Sequence, residues 1–231
     1  MSIAENIAAV RENIAAACRD AGRDESEITL VGASKMNDAA ACREAIAAGI
    51  DALGENRVQE MTAKLADNAY DGAPLHFIGH LQRNKVKQVV GKVALIQSVG
   101  SMELLEEIEK VAAREQLVQD ILLEVNIGRE EAKSGFDPDA VTAAAEAALS
   151  LPHVRVRGLM TIPPADADRD ANMRYFQEVQ ALYVDINTKL FHNELKCLSM
   201  GMSGDYMDAI RCGATMVRVG TDIFGARNYN I

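Results

Sequence analysis

Cysteine is scarce: Cys18, Cys42, Cys197 and Cys212 are the four in 231 residues, with no C-x-x-C pair and no close metal-ligand spacing. A zinc or thiol-redox motif is therefore not expected, and a disulfide framework is improbable at this length. Three of the four lie in alanine- or leucine-rich stretches, where cysteine serves as a small buried hydrophobe. The N-terminus lacks a basic region followed by an apolar run, and no stretch approaches the ~18 apolar residues of a membrane span. Neither secretion nor a membrane anchor is expected, and the expectation is a reduced, cytoplasmic, soluble protein. Positive charge is also short, 24 Lys and Arg against 34 Asp and Glu, for a net charge of −10. That balance argues against nonspecific nucleic-acid or anionic-membrane binding but leaves room for a local anion site. Neither a G-x-G-x-x-G turn after the first apolar run nor a Walker phosphate loop is present, so the nucleotide-binding folds lose their main signature.

What is present is a repeating rhythm. Ser2 and Glu5 make a capping-box pattern, and Ile3, Ile7, Val10 and Ile14 follow at helical spacing, which predicts an N-terminal helix. Eight short apolar, β-branched runs follow: 28–35 (ITLVGASK), 52–56 (ALGEN), 75–79 (LHFIG), 94–99 (ALIQSV), 121–126 (ILLEVN), 156–162 (VRGLMTI), 197–200 (CLSM) and 216–221 (MVRVGT). Helix-length segments separate them, among them 38–48, 101–116, 138–149 and 172–190. Ser101 and Asp137–Pro138 are sensible helix starts, with Pro138 at the first helical position. Eight βα units in this length favour a closed (β/α)8 TIM barrel over an open sheet. The first helix is expected to cover the barrel's bottom. No Pro/Gly/Ser-rich linker divides the chain, so residues 1–231 are expected to form a single domain.

In such barrels function gathers at the C-terminal ends of the strands. Those ends carry Lys35, Glu55-Asn56-Arg57, Gly79-His80, Ser98, Asn126, Thr161, the segment 199–203 (SMGMS) and Arg218-Val219-Gly220-Thr221. A lysine facing a barrel interior is stripped of water, which favours the neutral amine, a nucleophile for a carbonyl. Alone, Lys35 reads equally as a snorkelling strand-end lysine. The segment 199–205 (SMGMSGD) ends at a helix start, and Gly220-Thr221 adds a second close-approach glycine. Loops after strands seven and eight of such barrels often hold phosphate, although ordinary turns use the same residues. Arg218 sits in an apolar strand and needs a partner or acceptor if it points inward. Amine, phosphate cradle and inward arginine together suggest a phosphorylated aldehyde, and pyridoxal 5′-phosphate fits.

The stretches VGASK (31–35), LGENRVQE (53–60), LHFIGHLQRNK (75–85), IQSV (96–99), EVNIGREEAKSGF (124–136), RGLMTIPP (157–164), YFQE (175–178), LSMGMSGDYMDAI (198–210) and VRVGTDIFGAR (217–227) run in order through nearly the whole chain. With them the chain resembles the pyridoxal phosphate homeostasis protein family, single-barrel relatives of the alanine racemase N-terminal domain. The resemblance implies an internal aldimine on Lys35 and Arg218 near the pyridine nitrogen. It implies Ser203, Gly220 and Thr221 near the phosphate, and Asn56 and Met200 beside the cofactor. It gives His80 no fixed role.

Two functions follow from different classes. The primary expectation is a non-catalytic binder that buffers pyridoxal phosphate and supplies it to apo-enzymes, so no catalytic or metal-binding residue is assigned. The alternative is an amino-acid racemase or related α-carbon enzyme. The resembling racemases take a second base from an additional domain, for which the chain's length leaves no room; Tyr206 or Tyr229 would have to substitute. A blander possibility is a phosphate-metabolite barrel without aldimine chemistry. Without that domain a monomer is expected. Lys133, in the loop after the fifth strand, offers a surface amine for handing cofactor over, against the plainer reading of a solvated lysine.

Overall fold

In a computed structural model that describes residues 1–225, the first helix, α1 (Ile3–Ala21), begins at the cap foreseen for it. Ser2 Oγ accepts the Glu5 amide at 3.2 Å and Glu5 returns a bond to the Ser2 amide at 2.8 Å, satisfying two otherwise orphan donors. Gly22, at φ 65°, closes the other end in the left-handed conformation glycine adopts without strain.

Eight parallel strands follow: β1 (Thr29–Ala33), β2 (Ala52–Glu55), β3 (Leu75–Phe77), β4 (Leu95–Val99), β5 (Gln119–Val125), β6 (Val154–Thr161), β7 (Cys197–Ser199) and β8 (Met216–Val219). They close in sequence order, β8 pairing back onto β1. Between and after them lie α2 (Ala39–Ala47), α3 (Val58–Ala66), α4 (Met102–Arg114), α5 (Val141–Ala148), α6 (Arg169–Leu190), α7 (Tyr206–Arg211) and α8 (Thr221–Phe224), while a short 3-10 segment (Arg83–Gln88) joins β3 to β4. The (β/α)8 barrel is thus present, and each of the eight foreseen runs overlaps a strand, with β5 and β6 each beginning two residues before the run that marks it.

Three expectations are corrected. The helix expected from Pro138 starts at Val141, because Asp137 accepts the Asp139 amide at 2.8 Å and holds 138–140 in a turn. The sixth helix starts at Arg169, earlier than residue 172, because Asp168 accepts the Ala171 amide and caps it there. Helix α1 joins the outer ring rather than the barrel's bottom, packing against α2, α7 and α8. Helix α8 is a single turn, too short to cover the adjoining strands, and α1 fills that place. Asn6 donates to the Ile223 carbonyl at 2.8 Å and Asn13 to the Tyr206 hydroxyl at 3.0 Å.

Most of the core lies between barrel and helices. Inside the barrel a second, small apolar cluster comprises Val31, Ala52, Leu95, Leu122, Met160 and Met216. Side chains alternate along a strand, so two residues further on the inward positions are Gln97 on β4, Glu124 on β5 and Arg218 on β8. The barrel is apolar below and polar toward its C-terminal mouth.

Candidate functional site

Four neighbouring strands supply an arc at that mouth. Val31 of β1 lies opposite Arg218 of β8, and Ala33 lies opposite Gly54 of β2. Lys35 stands half-buried two residues past β1, in a turn where Asn37 Nδ2 donates to its carbonyl at 3.1 Å. Asn56 directly follows β2, and its Oδ1 is buried with no hydrogen-bond partner among the described residues. A Cβ on Gly79 would fall 2.2 Å from the Asn56 carbonyl oxygen, so only glycine lets the chain after β3 pack against it.

On the other side of β1, the Gly220 amide and the Asp222 amide both donate to Ser203 Oγ, at 3.3 and 3.4 Å. The loop after β7 and the first turn of α8 thereby form one concave edge of N–H groups and a hydroxyl. Gly201, at φ 93°, makes this possible: a Cβ there would lie 2.6 Å from the Ala209 Cβ. Its carbonyl accepts the Arg218 amide at 3.0 Å, tying the loop to β8.

Arg218 is 3% exposed. It donates to Ser199 Oγ at 2.5 Å and to the Thr161 carbonyl at 2.9 Å. Ser199 in turn donates to Gln97 Oε1 at 2.6 Å, and Gln97 Nε2 donates to His76 Nδ1 at 3.0 Å. The chain fixes His76 as the neutral tautomer that accepts at Nδ1; burial pushes this imidazole down to about 4, in agreement. Burial also lowers Arg218, to about 10, while Glu124 and Asp205 act to raise it. The guanidinium therefore stays charged at neutral pH. Glu124 is buried with Oε2 unpartnered among the described residues, and burial raises its carboxyl to about 7 against the pull of Arg218.

The alanine racemase N-terminal domain family matches residues 6–228. The "Pyridoxal phosphate homeostasis protein" of Aquifex aeolicus is 43% identical over 229 residues, spanning 99% of this chain and all of the relative. The chain belongs to the pyridoxal phosphate homeostasis protein family. The protein of that name from Pseudomonas aeruginosa is 40% identical, covering 99% of this chain and 97% of its own. Among solved structures, PipY of Synechococcus elongatus, with pyridoxal phosphate (PLP) bound, superposes with a TM-score of 0.84 at 32% identity, covering 97% of this chain and 100% of its own. Members are named for homeostasis of a cofactor, not as enzymes.

The residues foreseen for the site do not all lie where the family pattern was expected to use them. Lys35, Asn56, Ser203, Arg218, Gly220 and Thr221 fall on the arc. The Met200 side chain is fully buried in the layer between barrel and helices, so it faces away from the mouth. Glu55 likewise turns outward into that layer, and Asn126 closes its own loop by bonding both backbone groups of Glu130. His80 is exposed, bonded through Nδ1 to Ser134 Oγ at 2.7 Å, beside a cavity of about 530 Å3 that also touches Arg83 and Ser98. Lys133 is half-exposed and ion-paired with Glu130 at 2.5 Å. Tyr206 is 3% exposed and accepts from Asn13, so it packs under α1 and is no base at the mouth. Tyr229 lies outside the described residues.

Gln97 and Glu124 are side chains near the mouth that sequence reasoning passed over, whereas Ser199 is named with its segment but without its bond to Arg218. Their signal was faint: single polar residues at every second position of otherwise apolar strands, where a buried polar group needs a reason.

Proposed function

We propose that this chain binds pyridoxal 5′-phosphate through Lys35 and serves intracellular homeostasis of that cofactor, buffering or supplying it without substantial catalysis. One juxtaposition carries the reading: Lys35 at the end of β1 stands beside the Ser203–Gly220 edge at the end of β8, its immediate neighbour in the barrel. The bound cofactor supplies an aldehyde, with which a lysine amine condenses, losing one water. The protein's own groups fit the rest. Ser203 Oγ and the amides of Gly220, Thr221 and Asp222 face a phosphate at the start of α8, and Gly220 leaves room for close approach. Arg218, charged and held by Ser199 and Thr161, would stand toward the ring nitrogen of a bound cofactor. Among the described residues, Asn56 Oδ1 and Glu124 Oε2 are buried acceptors without donors, as expected of groups that await a ligand.

A carrier is favoured over a racemase by one feature. Racemisation needs a base on each face of the substrate carbon, and Tyr206 is packed away from the mouth. A protonated arginine beside a ring nitrogen weakens the electron sink that carbanion chemistry needs, but it does not separate the two readings, since alanine racemases manage with an arginine there. In this reading the recipients are apo-enzymes that use the same cofactor, the protein is a cytoplasmic monomer, and residues 1–231 form one domain.

Borohydride reduction of the protein mixed with pyridoxal phosphate, followed by peptide mass spectrometry, tests the site. The label is expected on Lys35 and lost in Lys35→Ala; an unlabelled Lys35 overturns the proposal. The same holo-protein in D2O with L-alanine should exchange the α-proton no faster than free cofactor does, and sustained faster exchange would favour the racemase.

A further inference from the structure

A buried charged cluster lies behind Lys35, outside the barrel and beneath α3. Glu55, fully buried at the end of β2, accepts at one oxygen from Lys64 Nζ at 2.7 Å, Ser34 Oγ at 2.6 Å and the Tyr70 hydroxyl at 3.1 Å. Lys64 is 6% exposed and donates also to Glu60 Oε1 at 2.9 Å. Burial disfavours its charge, but Glu55 and Glu60 more than offset that, so its amine is held above the ordinary lysine value. It is a saturated donor, not a second nucleophile.

Two bonds leave this cluster, and both reach the backbone that carries Lys35. Lys64 Nζ donates to the carbonyl of Ser34 at 2.8 Å. The amide of Met36 donates to Glu60 Oε1 at 2.5 Å. The peptide groups on either side of Lys35 are thus each gripped by a side chain of α3. The grip coincides with a conformation that needs one: Met36 sits at φ 62°, in the left-handed region that strains a residue with a Cβ.

We infer that Glu60 and Lys64 are positioning residues for Lys35, clamping a left-handed turn so that the amine is presented to the mouth. The inference rests on the proposed role of Lys35. It extends that role to a pair of side chains that never reach the mouth themselves. Glu60, on the surface side of the cluster, sets the turn through Met36. Lys64 ties both Glu60 and Ser34 to the buried Glu55.

The test compares Glu60→Ala and Glu60→Gln with the wild-type chain, measuring the rate of borohydride-trapped labelling of Lys35 and the thermal midpoint without ligand. Glu60→Ala leaves the Glu55–Lys64 pair in place, so the ligand-free midpoint should hold within a few degrees. Labelling should slow roughly ten- to hundredfold, as for a reacting group displaced by about an ångström. Glu60→Gln keeps an acceptor for the Met36 amide and should recover most of the rate, a rescue that a general packing role does not predict. Glu55→Gln combined with Lys64→Met, which removes the buried charges together, should slow labelling as well. Wild-type labelling at Lys35 with an equally fast Glu60→Ala overturns the clamp alone. A wild-type chain unlabelled at Lys35 overturns both the clamp and the proposed function, and label on Lys64 does the same.

Discussion

Arg218 carries its charge in a buried position with no ion pair among the described residues, and neutral dipoles do the holding. Ser199 is the joint, since it accepts from Arg218 and donates to Gln97 through one hydroxyl. Ser199→Ala strands a guanidinium donor and the Gln97 Oε1 acceptor together. It should cost roughly 1–3 kcal/mol in urea unfolding and weaken cofactor binding. An unchanged midpoint would show that water replaces the hydroxyl. Glu124 gives a prediction with a sign. Its carboxyl is raised to about 7 by burial, whereas an unfolded glutamate titrates near ~4.3. The folded state binds this proton more tightly, so the contribution is whole below the unfolded value, declines as pH rises toward 7, and is lost above it. Relative to wild type, Glu124→Gln should therefore gain stability as pH rises from about 5 to about 8, on the order of 3 kcal/mol at ~1.4 kcal/mol per unit. Paired urea titrations of ligand-free protein at the two pH values check it; a constant difference refutes it.

Among the elements, β6 is the one whose sequence leaves least choice. Its pairing with β5 shifts between Val156 and Gly158, so Arg157 bulges out of register. A Cβ on Gly158 would lie 1.6 Å from the Cys197 carbonyl oxygen of β7, backbone against backbone. Gly158→Ala must part β6 from β7 and open the barrel. It should lose more than ~3 kcal/mol of stability or fail to accumulate folded, as circular dichroism melts would show. The order of elements was legible because parallel strands buried on both faces read as short apolar runs between helical stretches. The ends were less so. The run 28–35 overshoots β1 by two residues, because after Ala33 the chain leaves the ladder and Lys35 belongs to a turn held by α3. Arg218 and the Ser203–Gly220 edge could be named because charge in an apolar strand and glycine after it are local signals. The cluster of Ser34, Glu55, Lys64 and Tyr70 could not, since each member is ordinary in its own segment and only the fold joins them.

For the molecule as a whole, closure of the barrel should make the mouth and the core one cooperative unit. The strands contributing Lys35 and Arg218 pair directly with each other, and α1 packs against α7 and α8 at the place where the chain returns to its start. A single domain over 1–231 should therefore unfold in one calorimetric transition whose van't Hoff and measured enthalpies agree. A ligand held across the β7–β8–β1–β2 arc should move that whole transition. With cofactor at about a hundred times its dissociation constant, mass action adds ~2.7 kcal/mol. Unfolding entropy of ~2.1 cal/mol/K per residue amounts to about 0.5 kcal/mol/K over 231 residues. The midpoint should rise by about 6 °C, and the rise should shrink sharply in Lys35→Ala, whose ligand-free transition keeps its shape. Two transitions, only one of them moved by cofactor, would mean that the mouth and the opposite wall of the barrel fold separately. The one-domain reading would then fail even with Lys35 correctly assigned.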